Sequence, residues 1–328
     1  IATLTLAAGS TASVAAAPTD YGTAIATGQT EMQSAVDAGA SSVSAALVTR
    51  DTIVWTGSAG AIDAAGTKPA TTTRYTIGSL SKLPTAIAIM QLVDQGLIDL
   101  DAPVITYLPE LTMTSPDYRA ITVRMLLNHS AGFPGTDYTN AFTTAPHDGY
   151  AEQVLASLAK QPLKTTPGAM SVYSNDGFTL LQLILQKVTG MPFTDAMRNN
   201  LFAPLGMTYS SFWTQGVAAD PAIAPMLDAD RQPLPLEVTN VLASGGLVST
   251  ATDMAQVARM LLGDGTVDGK RILSPTAVAA MGTDQIPGSL SVGAANPWEY
   301  GLGWDTVQQL GFAQVGQTAW VKGGDTSD

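Results

Sequence analysis

The chain has 328 residues, of which 45% are apolar and 13% charged, so it can bury a large core and exceeds one small module. Its 27 acidic and 15 basic residues give a net charge of −12, which disfavours nucleic acid as a partner because a phosphate backbone would repel the chain. The absence of cysteine excludes disulfides and thiolate metal sites, and two histidines, His129 and His147, are too few for a three-histidine zinc site.

The first residues, IATLTLAAGSTASVAAAP, have the apolar and small-residue parts of a secretory signal. We therefore expect residues 1–17 to be a signal-peptide-like segment of an exported protein, with Ala15–Ala17 as the cleavage site. The alternative is a disordered tail rich in alanine and threonine. The apolar stretch is too short to span a bilayer, so the sequence predicts no integral membrane span.

Along the rest of the chain, the spacing of apolar residues predicts the main elements. Two β-rich runs predict a hairpin over 43–60. Helical spacing predicts helices at 79–95, 122–133, 150–163, 177–190, 194–207 and 249–265. The segments YGLGWDTVQQL and FAQVGQTAWVKGGD alternate enough to predict strands near the end of the chain.

Strands thus occupy both ends of the chain and helices fill the middle. This order predicts an α/β (α+β) fold in which an antiparallel sheet, flanked by helices, is built from both chain ends. We assign 20–98 and 241–328 to this sheet domain and 99–240 to an inserted, mostly helical domain. The last part of the inserted domain, 216–240, is rich in proline and is predicted to be irregular.

The segment YTIGSLSKLPTAIAIM places Ser79 three residues before Lys82 at the start of a predicted helix. Residues three apart share a helix face, so the hydroxyl and the amine would meet. The serine could simply cap the helix, but a lysine in the first turn opposes the helix dipole. Burial and the positive helix end would lower the pKa of this lysine, giving a neutral amine that can take the serine proton. Alone, this spacing arises by chance in most proteins of similar size.

Two further stretches add polar groups in a fixed order. PGAMSVYSNDGFTLL offers Tyr173 and Asn175 on a turn before a helix, and WVKGGDTSD offers Lys322, Gly323 and Gly324 at the end of a strand. Taken singly, these would be ordinary turn residues and a solvated charge.

In the order S-x-x-K, Y-x-N and K-x-G, and with blocks such as ITVRMLLNHSAGFPG and ASGGLVSTATDMAQVARMLL, the chain resembles the serine β-lactamase and penicillin-binding-protein superfamily. The resemblance is to its class-C-β-lactamase-like branch, which includes D-alanyl-D-alanine carboxypeptidases, D-amino-acid peptidases and amidases, and family VIII esterases. It extends from about residue 43 to the end of the chain.

The resemblance implies a β-lactamase/transpeptidase-like fold and an acyl-enzyme mechanism that uses neither a metal nor a cofactor. Ser79 would be the nucleophile, and Lys82 would orient it and exchange protons with it. Tyr173 would be the general base or proton shuttle, with a phenol pKa lowered by two nearby lysines.

The same resemblance implies how a substrate would be held. Asn175 would bind the acyl side-chain amide and Lys82, and Lys322 would supply positive charge for a substrate carboxylate. The two glycines after Lys322 would let substrate lie against the strand edge. The backbone N–H groups of Ser79 and Asp325 would form the oxyanion hole.

His129 lies beside Ser130, which raises the alternative of a Ser-His-Asp triad. The chain has no G-x-S-x-G elbow, so we expect His129 instead to be a structural histidine that hydrogen-bonds the backbone.

Three features depart from the superfamily pattern. Pro84 lies inside the predicted helix and could kink it just after Lys82. Asp325 places a carboxylate beside the expected oxyanion hole. The superfamily also continues past the K-x-G strand, so we expect that strand to be an unpaired edge here and a C-terminal remainder of the polypeptide to follow Asp328.

The sequence therefore predicts an exported serine hydrolase acting on amide or ester bonds of D-Ala-type peptides, β-lactams or related small substrates. Lys322 favours carboxylate-bearing substrates. β-Lactam turnover should be slow or absent, because the chain lacks an E-x-x-L-N stretch for activating water. The alternatives are a family VIII-type carboxylesterase and a non-catalytic cell-wall-binding module on the same fold.

Overall fold

The computed structural model describes residues 2–8, 20–212, 220, 222–235, 237–286, 299–314 and 317–325. The predicted cleavage site at Ala15–Ala17 and part of the irregular segment 216–240 lie outside the described residues.

Helices and short strands alternate along the described chain. The α-helices are α1 (Gly22–Asp37), α2 (Lys82–Asp94), α3 (Val123–Leu127), α4 (Tyr150–Leu158), α5 (Asn175–Thr189), α6 (Phe193–Met197), α7 (Ala203–Leu205), α8 (Leu242–Gly245), α9 (Ala251–Leu262), α10 (Pro275–Met281) and α11 (Leu310–Ala313). Gly78–Ser81, Val104–Thr106 and Pro116–Ala120 form 3-10 turns, and Arg198–Phe202 forms a π-helical turn between α6 and α7.

The strands pair antiparallel in five short sheets. They are β1 (Ala2–Ala8), β2 (Ser42–Val48), β3 (Ile53–Gly60), β4 (Tyr75–Thr76), β5 (Phe142–Thr143), β6 (Ser211–Phe212), β7 (Val238–Thr239), β8 (Leu247–Ser249), β9 (Thr266–Val267), β10 (Lys270–Arg271) and β11 (Thr318–Gly324). Their orders are β1-β11, β2-β3, β4-β8-β6, β5-β7 and β9-β10. The predicted mixed fold with antiparallel pairing is confirmed. Strands from the two chain ends pair as β1-β11, whereas the hairpin β2-β3 forms a separate sheet within the described residues.

Strand β1 is the largest difference from the sequence prediction. Ala2 to Ala8 pair with Gly324 to Thr318, so the prediction of an unpaired edge at β11 is wrong on this side. The segment suits a strand because Leu4 and Leu6 turn inward while Thr3 is exposed, the period-two pattern of a half-buried strand. The expectation that residues 1–17 are a signal-peptide-like segment did not anticipate this role, and a cleaved segment could not fill it.

The second difference concerns YGLGWDTVQQL, which was predicted to be a strand. It forms only a single bridge, between Thr306 and Val321 of β11, before α11 begins. Gly303 has φ +82, a left-handed conformation that interrupts an extended backbone. The segment nevertheless lies along β11, because the Asp305 N–H donates to the Val321 carbonyl at 3.0 Å.

The hydrophobic core surrounds two helices, α2 and α5. Almost every residue of α2 is buried, and the helix packs against α5, α8 and α10. The kink expected at Pro84 does not interrupt α2, which runs on to Asp94. Pro84 is the third residue of the helix, where a backbone N–H has no intrahelical partner to lose. The two helices bring their first turns together, and this junction is where the predicted site residues lie.

Candidate active site

Ser79 lies in the 3-10 turn that leads into α2, with its side chain half-buried. Its hydroxyl does not cap the helix, because the N-cap residue of α2 is Ser81. Ser81 Oγ is itself committed, donating to the Gly78 carbonyl at 2.6 Å and accepting from the Leu247 N–H at 3.0 Å. Ser79 Oγ is therefore left available for Lys82 and Tyr173.

Lys82 is the first residue of α2 and is completely buried. Its Nζ lies 3.1 Å from Ser79 Oγ, 2.7 Å from Asn175 Oδ1 and 2.8 Å from the Ser244 carbonyl of α8. Burial, and then the positive charge of Lys322, hold the pKa of Lys82 well below its usual value. A neutral amine has two N–H donors and one lone pair, so it can donate to Asn175 and Ser244 and accept from Ser79.

Tyr173 also contacts Ser79, donating its hydroxyl to Ser79 Oγ at 2.6 Å. The resemblance predicts that two lysines lower the pKa of this phenol, but the structure indicates the opposite direction. Burial raises the pKa of Tyr173, and the carboxylates of Asp305 and Asp325 add to this rise. The phenol is therefore protonated at rest and acts as a hydrogen-bond donor to the serine.

His129 packs against the ring of Tyr173 and is bonded to the backbone, not to a catalytic serine. Its Nδ1 accepts the Ser174 N–H at 3.3 Å, and its ring centroid lies 4.5 Å from that of Tyr173. Burial, followed by the charges of Lys82 and Lys322, holds the pKa of His129 well below its usual value, so the ring is neutral. This placement agrees with the expectation of a structural histidine bonded to the backbone.

Asn175 begins α5, and its position is fixed from both ends. Its backbone N–H donates to Thr136 Oγ1 at 3.0 Å, while its side-chain oxygen accepts from Lys82. The helix thereby brings a carboxamide to the buried amine, and the turn before it brings Tyr173 to Ser79.

Lys322 lies on β11 on the far side of the cleft, with only 2% of the residue exposed. Its Nζ donates to Asp305 Oδ1 at 2.8 Å and Oδ2 at 3.1 Å, and to the Gly323 carbonyl at 2.6 Å. The Gly323 N–H donates in turn to Asp305 Oδ2 at 2.8 Å. Burial lowers the pKa of Lys322, and Asp305 opposes this shift.

The end of β11 packs directly on the turn that carries Ser79. A Cβ on Gly324 would lie 2.2 Å from the Ile77 carbonyl oxygen and 2.9 Å from the Ser79 nitrogen. A Cβ on Gly78, which has φ +51, would lie 2.1 Å from the Asp325 carbonyl oxygen. Two glycines thus allow the backbones of Ser79 and Asp325 to meet, which brings the two predicted oxyanion-hole amides into one small region.

A cavity of about 340 Å³ opens over these groups, a size that suits a small substrate. Its lining comprises Ser79, Tyr173, Tyr300, Asp305 and residues 322–325. Every predicted site residue therefore lies in the cavity or, for Lys82 and Asn175, directly beneath Ser79.

Sequence reasoning missed three contributors to this site. Asp305 pairs with Lys322, Tyr300 lines the cavity, and the Ser244 carbonyl binds Lys82. Only Asp305 and Tyr300 carried a signal, as polar residues within YGLGWDT, a glycine-rich segment assigned to a strand. Among the described residues, no group of three or more His, Cys, Asp or Glu side chains could hold a metal ion.

The fold is that of serine β-lactamase and penicillin-binding-protein structures. The family model described as Beta-lactamase matches residues 25–327, nearly the whole chain. The chain belongs to the Beta-lactamase family.

Two relatives support this membership. Penicillin-binding protein 4 of Amycolatopsis lactamdurans is 31% identical over 274 residues, covering 78% of this chain and 71% of that protein. Protein Rv1367c of Mycobacterium tuberculosis is 34% identical over 242 residues, covering 65% of this chain. The match covers 60% of the mycobacterial protein's own length.

A solved structure, the D-stereospecific amidohydrolase from a Streptomyces species, superposes with a TM-score of 0.65 at 26% identity. The match covers 91% of this chain and 94% of the amidohydrolase. Within the part of the chain that the structure describes, each helix is too short or too polar to cross a bilayer.

Proposed function

We propose that the protein is a serine hydrolase that forms an acyl-enzyme on Ser79 and cleaves amide or ester bonds of small substrates. One observation carries the proposal. Ser79 Oγ lies 3.1 Å from the buried Lys82 Nζ and 2.6 Å from the Tyr173 hydroxyl. An amine with a lowered pKa on one side and a protonated phenol on the other are the base and the acid that acyl transfer needs.

The acylation step follows from these contacts. Lys82, as the neutral amine, takes the Ser79 proton while Ser79 Oγ forms a bond to the substrate carbonyl carbon. The carbonyl π electrons move to its oxygen, and in this proposal the N–H groups of Ser79 and Asp325 stabilise that charge. Asn175 and the Ser244 carbonyl hold the resulting ammonium in position.

Collapse of this intermediate breaks the bond to the leaving group. Tyr173 gives its proton to the leaving nitrogen or oxygen and regains one from Lys82, which carries the proton taken from Ser79. The net result is one proton lost from Ser79 and one gained by the leaving group, with Lys82 and Tyr173 back in their starting forms. In deacylation water is the nucleophile and Ser79 Oγ is the leaving group. Lys82 takes a proton from the water as its oxygen bonds to the acyl carbon. The ester bond to Ser79 Oγ then breaks, Tyr173 gives its proton to Oγ and regains one from Lys82, and the acid product leaves.

The substrate class in this proposal covers D-Ala-type peptides, β-lactams and related amides and esters. The relatives support this breadth, since the matched proteins are named as a penicillin-binding protein and as a D-stereospecific amidohydrolase. A carboxylesterase activity of the family VIII type is the first alternative, because the same machinery cleaves esters. A non-catalytic cell-wall-binding module is the second.

Active-site labelling tests the proposal. A fluorophosphonate probe and, more slowly, a fluorescent penicillin should label the protein, and mass spectrometry of peptides should place the adduct on Ser79. Ser79→Ala should abolish labelling, whereas Ser130→Ala, which removes another buried hydroxyl near the cleft, should keep it. Failure of both reagents to label the intact protein would leave the binding module as the better description.

Export of the protein belongs to the same proposal. It is supported by the apolar and small-residue composition of residues 1–17. N-terminal sequencing of protein recovered from the culture medium or cell envelope tests it. A mature N-terminus that keeps residues 2–8 would instead support their role as strand β1.

A further inference from the structure

The ammonium of Lys322 has no hydrogen-bond donor left for a substrate. A lysine ammonium carries three N–H donors, and here they go to the two carboxylate oxygens of Asp305 and to the Gly323 carbonyl. Lys322 is 2% exposed, so solvent does not offer it a further partner. The charge that the sequence assigned to a substrate carboxylate is already neutralised within the protein.

Asp305 is built into this position and does not reach it by chance. Its N–H donates to the Val321 carbonyl at 3.0 Å, and its Oδ2 accepts the Gly323 N–H at 2.8 Å, so backbone bonds to β11 hold it at two points. The preceding residue, Trp304, is buried in the core. The side chain of Asp305 still lines the cavity and retains 28% of its exposure.

The formal charges around the cavity therefore do not favour binding of an anionic substrate. The lining contributes one cation, Lys322, and two carboxylates, Asp305 and Asp325. Lys82 beneath Ser79 adds no positive charge while it is the neutral amine. A substrate carboxylate placed against β11 would have to displace Asp305 from Lys322 and would then face carboxylates at close range, which disfavours binding.

We propose that Asp305 is a specificity-determining residue that reserves Lys322 as an internal ion pair and directs the site to substrates that are uncharged or cationic where they contact β11. This inference rests on the proposed hydrolase function and narrows its substrate class. Neutral esters and amides, and substrates with a free ammonium at that end, fit the cleft. Peptides and β-lactams that present a free carboxylate there are disfavoured, which reverses the expectation drawn from Lys322 alone.

Isosteric substrate pairs test the proposal. 3-Carboxyphenyl acetate and 3-carbamoylphenyl acetate differ only by a carboxylate on the leaving group, and p-nitrophenyl succinate and p-nitrophenyl succinamate only by one on the acyl group. In at least one pair, wild type should favour the neutral member by about tenfold or more in kcat/KM, with the difference mainly in KM. Added salt should narrow this preference, because it screens the repulsion.

Asp305→Asn should narrow the same preference by about tenfold, because an asparagine oxygen keeps the Gly323 N–H bond while the charge of Lys322 is released to substrate. Asp51→Asn removes an equally negative side chain from the exposed turn between β2 and β3, and it should keep the wild-type ratio. Equal kcat/KM values for both members of each pair in wild type would overturn the inference, as would a folded Asp305→Asn variant with an unchanged ratio.

Failure of the underlying hydrolase proposal would look different. All four esters would then be turned over no faster by wild type than by Ser79→Ala. The charge preference can still be measured in that case, because Ser79→Ala should bind N-acetyl-D-alanyl-D-alaninamide more tightly than N-acetyl-D-alanyl-D-alanine in NMR titrations. Equal binding of these two ligands would also overturn the inference.

Discussion

Replacing Asp176 with asparagine should stabilise the protein in neutral solution and leave its stability in acid almost unchanged. Asp176 is the second residue of α5, next to the Asn175 that binds Lys82, and is only 2% exposed. Burial raises the pKa of its carboxyl to about 7, and the nearby Asp137 carboxylate adds to the rise. The Asp137 N–H partly offsets this rise in pKa, because it donates to the two carboxyl oxygens of Asp176 at 3.1 and 3.2 Å.

The magnitude follows from the difference between the folded and unfolded pKa values, about 7 against 3.8. Below about pH 4 the carboxyl is protonated in both states and contributes no pH dependence. Between about pH 4 and about pH 7 only the folded state keeps the proton, so the free energy of unfolding falls as the pH rises. The full loss above about pH 7 is about 4 kcal/mol, at 1.36 kcal/mol per pH unit of pKa difference.

Urea unfolding of wild type, Asp176→Asn and Asp51→Asn across this pH range measures the effect. The advantage of Asp176→Asn over wild type should be small near pH 4 and grow to a few kcal/mol by about pH 8. Asp51→Asn controls for the loss of one negative charge from an acidic protein, since its side chain is 79% exposed. An advantage of Asp176→Asn that stays constant with pH would refute the reasoning, because burial of the ionised form would then not be its cause.

Three further predictions concern Lys82, Tyr173 and the packing of β11. The pKa of Lys82 is lowered and its protonated form is inactive, so kcat/KM should reach its plateau at a pH well below the usual lysine pKa of 10.5. Lys82→Met should lower the plateau value of kcat/KM by about 10²-fold or more. Tyr173→Phe should slow hydrolysis of a D-alanyl anilide by about 10²-fold or more, but should slow hydrolysis of a p-nitrophenyl ester much less, because nitrophenolate leaves without a proton. Equal losses of rate for the two substrates would argue against Tyr173 as the acid. Gly324→Ala should lower the free energy of unfolding, measured by urea titration, by about 1–3 kcal/mol. Gly323→Ala should leave it unchanged, because its added methyl would lie at an ordinary 3.6 Å from Asp305, and equal effects of the two substitutions would contradict the close packing of β11.

Parts of the site that depend on short-range order could be predicted from the sequence. Ser79 and Lys82 are one helical turn apart, so their contact follows from helix geometry once the helix is identified. Tyr173 and Asn175 flank the start of α5, where a turn before an apolar helix exposes polar groups. The resemblance to the superfamily then supplied the long-range pairing of these two segments, which periodicity alone does not give.

Parts that depend on long-range packing could not be predicted. Asp305 meets Lys322 because the segment before α11 lies along β11 without forming a strand, and a pattern of alternation has no means of showing this. The predicted direction of the Tyr173 pKa shift was wrong for the same reason. Two lysines near a phenol suggest a lowered pKa, but one is buried and shifted toward its neutral form while the other is paired with a carboxylate.

The first strand shows how one pattern can serve two structures. Alternating leucine and threonine in Ala2–Ala8 are apolar enough for an export signal and periodic enough for a half-buried strand. Pairing with β11 satisfies the backbone groups along one side of that strand, a requirement that composition does not reveal.

The two lysines of the site can remain close together because their environments divide the charge between them. Lys82 has amide and carbonyl oxygens as partners but no carboxylate, so burial and the neighbouring Lys322 drive it toward the neutral amine. Lys322 has Asp305 in contact and can keep its proton in spite of burial. Burial raises the pKa of Tyr173 and the same Asp305 adds to this rise, so the phenol stays protonated. Asp305 therefore has two effects at this site besides the proposed substrate selection. It keeps a positive charge on Lys322 as an ion pair, and its own negative charge favours the protonated form of Tyr173.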